Sequence, residues 1–256
     1  MAARARFAYA QVRLQARHGA RPDEALWRSL QGTSDFANYL QLARHSPLQS
    51  WVRTLDPGQS SDEIETELRR LFRHHVDEVA GWVPPAWRPA VMWVRRLPDL
   101  PALQHLLSGE PVPVWLQRDA ELRDMGCLPV DLRLEAMQHS DCAIFTMATQ
   151  TGESLPDAWL NHWRSLWPGT ARQHQGLEAL GNALHRYLQV LQAERCESVQ
   201  TRCEALHVQL ASAFRRFSFQ PAAVFSSLAL TALELGRLRG DLLVRQLFAT
   251  NLEQVA

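Results

Sequence analysis

The chain reads as an all-α protein. Three features predict it: apolar residues recur at spacings of three and four over long stretches, helix caps and stops fall at the ends of those stretches, and strand signals are scarce. The only β-like run, Pro111-Val-Pro-Val-Trp115, carries prolines that a central strand does not tolerate.

Short helical pieces open the chain, at 3–17, 23–31, 35–43 and 47–55. Asp23 is placed to cap the second. Ser34, after Gly32-Thr33, is placed to cap the third before Phe36, and Asp56-Pro57-Gly58 is a turn. A longer helix follows from Ser60 to Val79. Ile64, Leu68, Leu71, Phe72, Val76 and Val79 draw its apolar stripe, and Ser60 with Glu63 forms the S-x-x-E capping box. Gly81, Pro84 and Pro85 stop it. Helical segments at 86–96 and 98–107 come next, the latter ended by Gly109. A proline-rich segment at 109–130 leads to helices near 131–148 and 155–166, and Trp167-Pro168-Gly169 is the next break.

The longest pattern runs from Leu177 through Leu180, Leu184, Tyr187, Leu188 and Leu191. It crosses a polar centre at Glu194–Glu197 and resumes at Val199, Cys203, Leu206, Leu210, Phe214 and Phe217. Read as one helix of about 40 residues, it would be roughly 60 Å long. A last helix starts at Pro221 and runs to about Phe248, so the two would make a long C-terminal antiparallel hairpin. The expected organisation is a single helical domain over 1–256, with lobes at about 1–108 and 130–256 joined by the 109–130 segment.

Composition bounds the function. The chain has 256 residues, 46% hydrophobic and 21% charged, with 27 basic and 27 acidic residues. That is ordinary globular usage, and the neutral balance argues against nucleic acid as a partner. Every basic residue is arginine, so Schiff-base chemistry and the lysine-bearing phosphate loop are both excluded. The four cysteines, Cys127, Cys142, Cys196 and Cys203, form no C-x-x-C pair and read as reduced thiols. The N-terminus lacks the apolar run of a signal peptide, and the most apolar stretch, Pro221–Leu233, is too short to span a bilayer. The expectation is a cytoplasmic protein without direct membrane insertion.

Chemistry-bearing motifs are sparse. G-x-S-x-G, G-x-G-x-x-G and H-E-x-x-H are absent. His74, His75 and Glu78 are the best metal candidates, since His74 and Glu78 share a helix face; the simpler reading is a helix-packing histidine beside a solvated one. His139-Ser140-Asp141-Cys142 could pair an imidazole with a thiolate, but more simply Ser140 or Asp141 caps a helix and Cys142 packs inside it. His174 and His185 are too far apart to share an ion. Glu63, Glu65, Glu67, Asp77 and Glu78 read as a solvated helix face. Nine tryptophans, several in the proline-rich middle, either wedge between short helices or form a contact surface. No catalytic residue, cofactor site or metal site is assigned, which favours a protein that holds other proteins.

Three segments carry a resemblance. The first is Arg6-Phe7-Ala8-Tyr9 with Arg13, followed by Phe36-Ala37-Asn38-Tyr39-Leu40. The second is the helix from Ser60, then Pro84-Pro85-Ala86-Trp87, then Asp99-Leu100-Pro101-Ala102-Leu103, where Asp99 and Leu103 fit and Ala102 and Gln104 replace an Asn and a Lys. The third is the last helix, with Glu234, Arg237 and Arg239. Together they resemble the C/d subunit family of vacuolar/archaeal-type (V-type) rotary ATPases. The resemblance implies an elongated, funnel-like multi-helix assembly and a non-catalytic central-stalk role. Its partners would be the shaft subunits of the soluble ATPase sector and the membrane rotor ring, with the chain peripheral to the membrane through them. The alternative is a soluble helical adaptor or assembly chaperone whose tryptophan-rich middle, with Trp87 and Trp115, grips a protein client.

Overall fold

The computed structural model describes residues 7–169, 171–192 and 196–255, with side chains described for 7–169, 174, 176–189 and 201–248. Among the described residues there are helices and turns and no strand. Part of the expected first helix (3–6) and part of the polar centre at 194–197 lie outside them.

The opening helices are α1 (Ala8–Gly19), α2 (Glu24–Gln31), α3 (Phe36–Arg44) and the single turn α4 (Gln49–Val52). Asp23 caps α2 by accepting from the Leu26 N–H at 2.8 Å. The cap of α3 is Asp35, not Ser34: its carboxylate accepts from the Asn38 N–H at 2.7 Å. Helix α5 (Ser61–Trp82) starts with the expected capping box, Ser60 and Glu63 each bonding the other's backbone N–H. Beyond it come a 3₁₀ turn (Pro85–Trp87), α6 (Arg88–Trp93), a second 3₁₀ segment (Val94–Asp99) and α7 (Leu100–Ser108). Gly109, at φ 76°, ends α7 in the left-handed region that suits glycine. The 109–130 segment folds into two short helices, α8 (Val114–Arg118) and α9 (Arg123–Gly126). The helix expected over 131–148 is two, α10 (Val130–Gln138) and α11 (Ala143–Thr151), and α12 (Leu155–Ser165) follows.

At the C-terminus the structure corrects the sequence reading. The stripe from Leu177 to Phe217 belongs to two helices, α13 (Ala171–Gln192) and α14 (Cys196–Arg216), and not to one rod. On one straight helix Tyr187 and Cys203 would lie about 24 Å apart; here the Tyr187 hydroxyl is 3.1 Å from the Cys203 thiol. At the other end, a Cβ on Gly176 would come within 3.0 Å of the Phe217 ring and of the Ala222 Cβ. The chain therefore reverses between α13 and α14, and again before α15 (Pro221–Val255). The expected antiparallel pair is present as α14 against α15, with α13 packed on both. The second reversal places Phe219 at φ 63°, where its N–H donates to Oε1 of the buried Gln11 of α1 at 3.0 Å.

Helix α15 organises the fold by packing on α1, α3, α5, α13 and α14. The buried apolar side chains form one cluster from Phe7 to Leu242. Tryptophans fill the junction of the short helices. Trp159, Trp163 and Trp167 follow one face of α12 and its end, with ring centroids 5.8 Å and 4.8 Å apart, and Phe225 of α15 closes on Trp163 at 5.0 Å. Trp93 stacks on Phe145 and donates to the Trp159 carbonyl at 3.1 Å. Large flat rings suit this place because no regular ridge-and-groove pattern exists between helices of one or two turns.

Glycines on the two C-terminal faces give opposite expectations. Gly176→Ala forces α13 away from Phe217 and Ala222 and should cost about 1–3 kcal/mol. Gly240→Ala meets no atom within 4 Å and should add about 0.5–1 kcal/mol through helix propensity. Urea denaturation of the two variants followed by circular dichroism checks both signs.

Candidate functional site

Positions 65, 69 and 73 of α5 lie one turn apart, alongside the apolar stripe of Ile64, Leu68, Phe72 and Val76. Expected at the surface, Glu65 is instead buried, as are Arg69 and Arg73, because the 3₁₀ segment, α8 and α15 cover that flank. These residues begin an ion-pair network through the middle of the molecule. Arg69 bonds Glu65 at 2.7 Å and Asp99 at 2.9 Å, and Arg239 of α15 closes on the other oxygen of Glu65. Arg73 bonds Asp99 at 2.8 Å and both oxygens of Asp119 at 2.9 Å. Arg96 reaches Asp99 at 3.4 Å, Glu121 at 3.1 Å and Asp141 at 2.7 Å, while Arg95 spans Asp77 at 3.2 Å and Glu121.

Asp99 is the hub and is fully buried. Burial pushes its carboxyl upward, against the guanidiniums of Arg73, Arg69 and Arg96. For Glu65 burial also acts upward, but Arg69 and Arg239 outweigh it and hold the carboxyl below the usual range. Arg96 rises despite burial because Asp141 and its other acidic neighbours favour the cation. Each guanidinium has carboxylates in hydrogen-bond reach, and Arg69 also lies over the Trp115 ring at 4.3 Å. Each cation of the network is already bound by at least one of the protein's own acids.

The predicted chemistry-bearing residues do not converge. Nδ1 of His75 accepts from Arg17 at 2.7 Å, while Arg17 also bonds Glu78 at 2.8 Å and lies over Trp82 at 4.6 Å. Burial, then the Arg17 charge, lower the His75 pKa to about 3, so the ring is neutral and packs edge-on to Trp51. His74 is exposed. No group of three or more His, Cys, Asp or Glu side chains that could hold a metal occurs among the described residues.

Cys142 is buried with its thiol pushed up to about 11, so it is protonated at neutral pH. The neighbouring His139 is exposed, and its ring bonds the Glu135 carbonyl. Neither Ser140 nor Asp141 caps α11 through its side chain; Ser140 bonds the Cys142 N–H, and Asp141 pairs with Arg96. His174 bonds the Pro168 carbonyl and His185 faces Asp157, apart from each other. Cys196 lies outside the described side chains.

Two surface features complete the survey. An open cleft of about 270 Å³ is lined by Thr54, Gln59, Glu63, Thr66, Glu67 and Arg118. Its Glu63 belongs to the α5 capping box and its Glu67 is bound by Arg70 and Thr54, so no free acid–base pair faces it. Of the tryptophans considered for a contact surface, Trp87 is buried against Phe7 and Phe225, and Trp115 is half-buried against Arg69. Exposed apolar side chains occur instead at Val130 and Leu134 of α10 and at Val244, Leu247 and Phe248 of α15, the last three 50%, 57% and 65% exposed. No described helix is long and apolar enough to cross a membrane.

Asp99→Asn leaves three guanidiniums around a neutral amide and should destabilise the protein by about 3 kcal/mol or more, whereas Asp141→Ala, at the exposed rim, should cost under about 1 kcal/mol. Chemical denaturation at pH 7 separates them. His75 sets a second expectation. Its folded pKa lies below the unfolded value of 6.5, so the unfolded chain binds the proton first and stability falls as pH drops through the window from 6.5 to about 3. The loss from this group should be about 2 kcal/mol at pH 5. The drop in stability between pH 7 and pH 5 should be smaller in His75→Gln by that amount.

Comparisons of the chain with protein-family models, with curated proteins and with solved structures find no match.

Proposed function

We propose that this protein is a non-catalytic helical spacer in the central stalk of a V-type rotary ATPase. It would couple the shaft subunits of the soluble sector to the membrane rotor ring from the cytoplasmic side. One observation carries the reading. Four charged residues that bear the resemblance are taken up internally: Asp99 is the hub of the buried network, Glu234 pairs with Arg21 at 2.6 Å, Arg237 with Glu24 at 3.0 Å, and Arg239 with Glu65.

A torque-transmitting part must resist relative motion of its own helices. Ion pairs that join α15 to the α1–α2 connection, to α2 and to α5 serve that need, and the hydrogen bonds of Arg237 to Glu24 and of Arg239 to Glu65 fix angle as well as distance. Arg245 adds to it by donating to the Leu30, Gln31 and Thr33 carbonyls at the end of α2, at 2.7–3.3 Å, while lying over Tyr39 at 4.3 Å. Partner-facing surface would come from the exposed apolar residues of α10 and α15.

Membrane fractionation of cells expressing the tagged chain tests the reading. The chain should sediment with membranes together with ATPase activity, and Leu247→Asp combined with Phe248→Asp should release it to the soluble fraction without changing its thermal unfolding. A chain that stays soluble and alone in the wild type would overturn the proposal.

A further inference from the structure

We infer that residues 110–128 form a latched strap that lifts from α5 as a unit while the rest of the fold stays assembled. The inference rests on how the segment is fastened and not on the stalk reading.

Its two ends are tied together. Arg133 of α10 donates to the Glu110 carbonyl at 3.3 Å and to the Leu128 carbonyl at 2.9 Å, so one guanidinium holds both hinges. The strap is thus a closed loop of the Ω type, whose interior can move without stretching the chain on either side. It also has a small core of its own. Gly126 of α9 is so close to α8 that a Cβ there would fall 2.6 Å from Leu116 Cδ2, with Val112 at 3.5 Å. Asp119 caps the turn into α9 by accepting from the N–H groups of Glu121 at 2.9 Å and Leu122 at 3.2 Å. Those bonds are internal to the strap and do not fasten it to α5.

Leu116, Leu122 and Met125 of the strap belong to the common apolar core, and the ionic part of the latch is one-sided. The strap supplies carboxylates, Asp119 and Glu121; the body supplies guanidiniums, Arg73, Arg95 and Arg96. Each of these arginines keeps another acid when the strap leaves: Arg73 keeps Asp99, Arg95 keeps Asp77, and Arg96 keeps Asp99 and Asp141. Arg69, which lies over the strap's Trp115 ring, keeps Glu65 and Asp99. Breaking a buried ion pair is costly mainly because a charge is left without a partner. Here no cation is orphaned, while Asp119 and Glu121 emerge into water. Two arrangements are therefore electrostatically satisfied, which is the condition for a discrete docked and lifted state.

Hydrogen exchange read by mass spectrometry tests this on the full chain. In the wild type, amides of 112–126 should exchange through a common opening that shows little dependence on low guanidinium concentrations, whereas amides of 222–242 in α15 should depend on it steeply. In the double variant Asp119→Asn/Glu121→Gln, exchange over 112–126 should accelerate about tenfold or more, with α15 unchanged. Equal denaturant dependence in the two segments of the wild type, or equal acceleration of both in the variant, overturns the inference. Should the variant fail to fold, the wild-type comparison decides alone.

Discussion

Asp99 sits without solvent contact at the end of a 3₁₀ segment, and three guanidiniums converge on it. The arrangement of the central helices depends on that carboxylate. Arg69 and Arg73 reach it from α5, Arg96 from three residues before it, and through those arginines it is connected to Asp119 and Glu121 in the proline-rich segment, to Asp141 before α11, and to Glu65 and so to Arg239 of α15. Apolar contacts alone would let these short elements slide against each other, because hydrophobic burial is non-directional. Guanidinium–carboxylate bonds have fixed angles and convert proximity into register. In free energy such a network need not surpass a well-packed apolar core. What it supplies here is a defined docking geometry for segments too short to define one by ridge packing.

Much of the fold was legible in the sequence because its signals are local. The Ser60/Glu63 box and the Asp23 cap are decided by hydrogen bonds between residues three apart, and the Gly109 stop by the left-handed φ that glycine alone adopts freely. The shift of the α3 cap from Ser34 to Asp35 is of the same kind, since either side chain can accept from the first turn. The 177–217 stripe failed for a different reason. Periodicity reports which face of a helix is apolar, and α13 and α14 both bury a face against the same neighbours, so the stripe continues in phase across a reversal of the chain. Tyr187 and Cys203 belong to one stripe and to two helices.

The ion network was hidden because its spacing imitates a surface. Glu65 and Arg69 form an i,i+4 pair, the commonest pattern on a solvated helix, and their burial depends on segments thirty and more residues away. A signal was nevertheless present. Positions 65, 69 and 73 extend the arc of 64, 68, 72 and 76, so that together they cover about half of the α5 circumference. A charged row adjoining a wide apolar row marks a helix covered on more than one side. His75 lies on the same arc, within that apolar face, and for that reason is neutral and packed where a metal ligand was considered.

The lack of lysine has a structural consequence at this point. A lysine at position 73 would offer a single ammonium, able to approach Asp99 or Asp119 but not to hold both in a plane. The guanidinium bonds Asp99 through one nitrogen and both oxygens of Asp119 through another. The same two-sidedness recurs at Arg21, which joins the Ser227 carbonyl and Thr231 hydroxyl through one nitrogen and Glu234 through the other, and at Arg245, which spreads over three carbonyls. In each case one arginine bridges elements far apart in the chain, and in the last two the bridge ends on α15. Arginine thus supplies the donors of more than one direction by which the long helix fastens short ones, beside single bonds such as that from the Tyr39 hydroxyl to Asp241 at 3.3 Å.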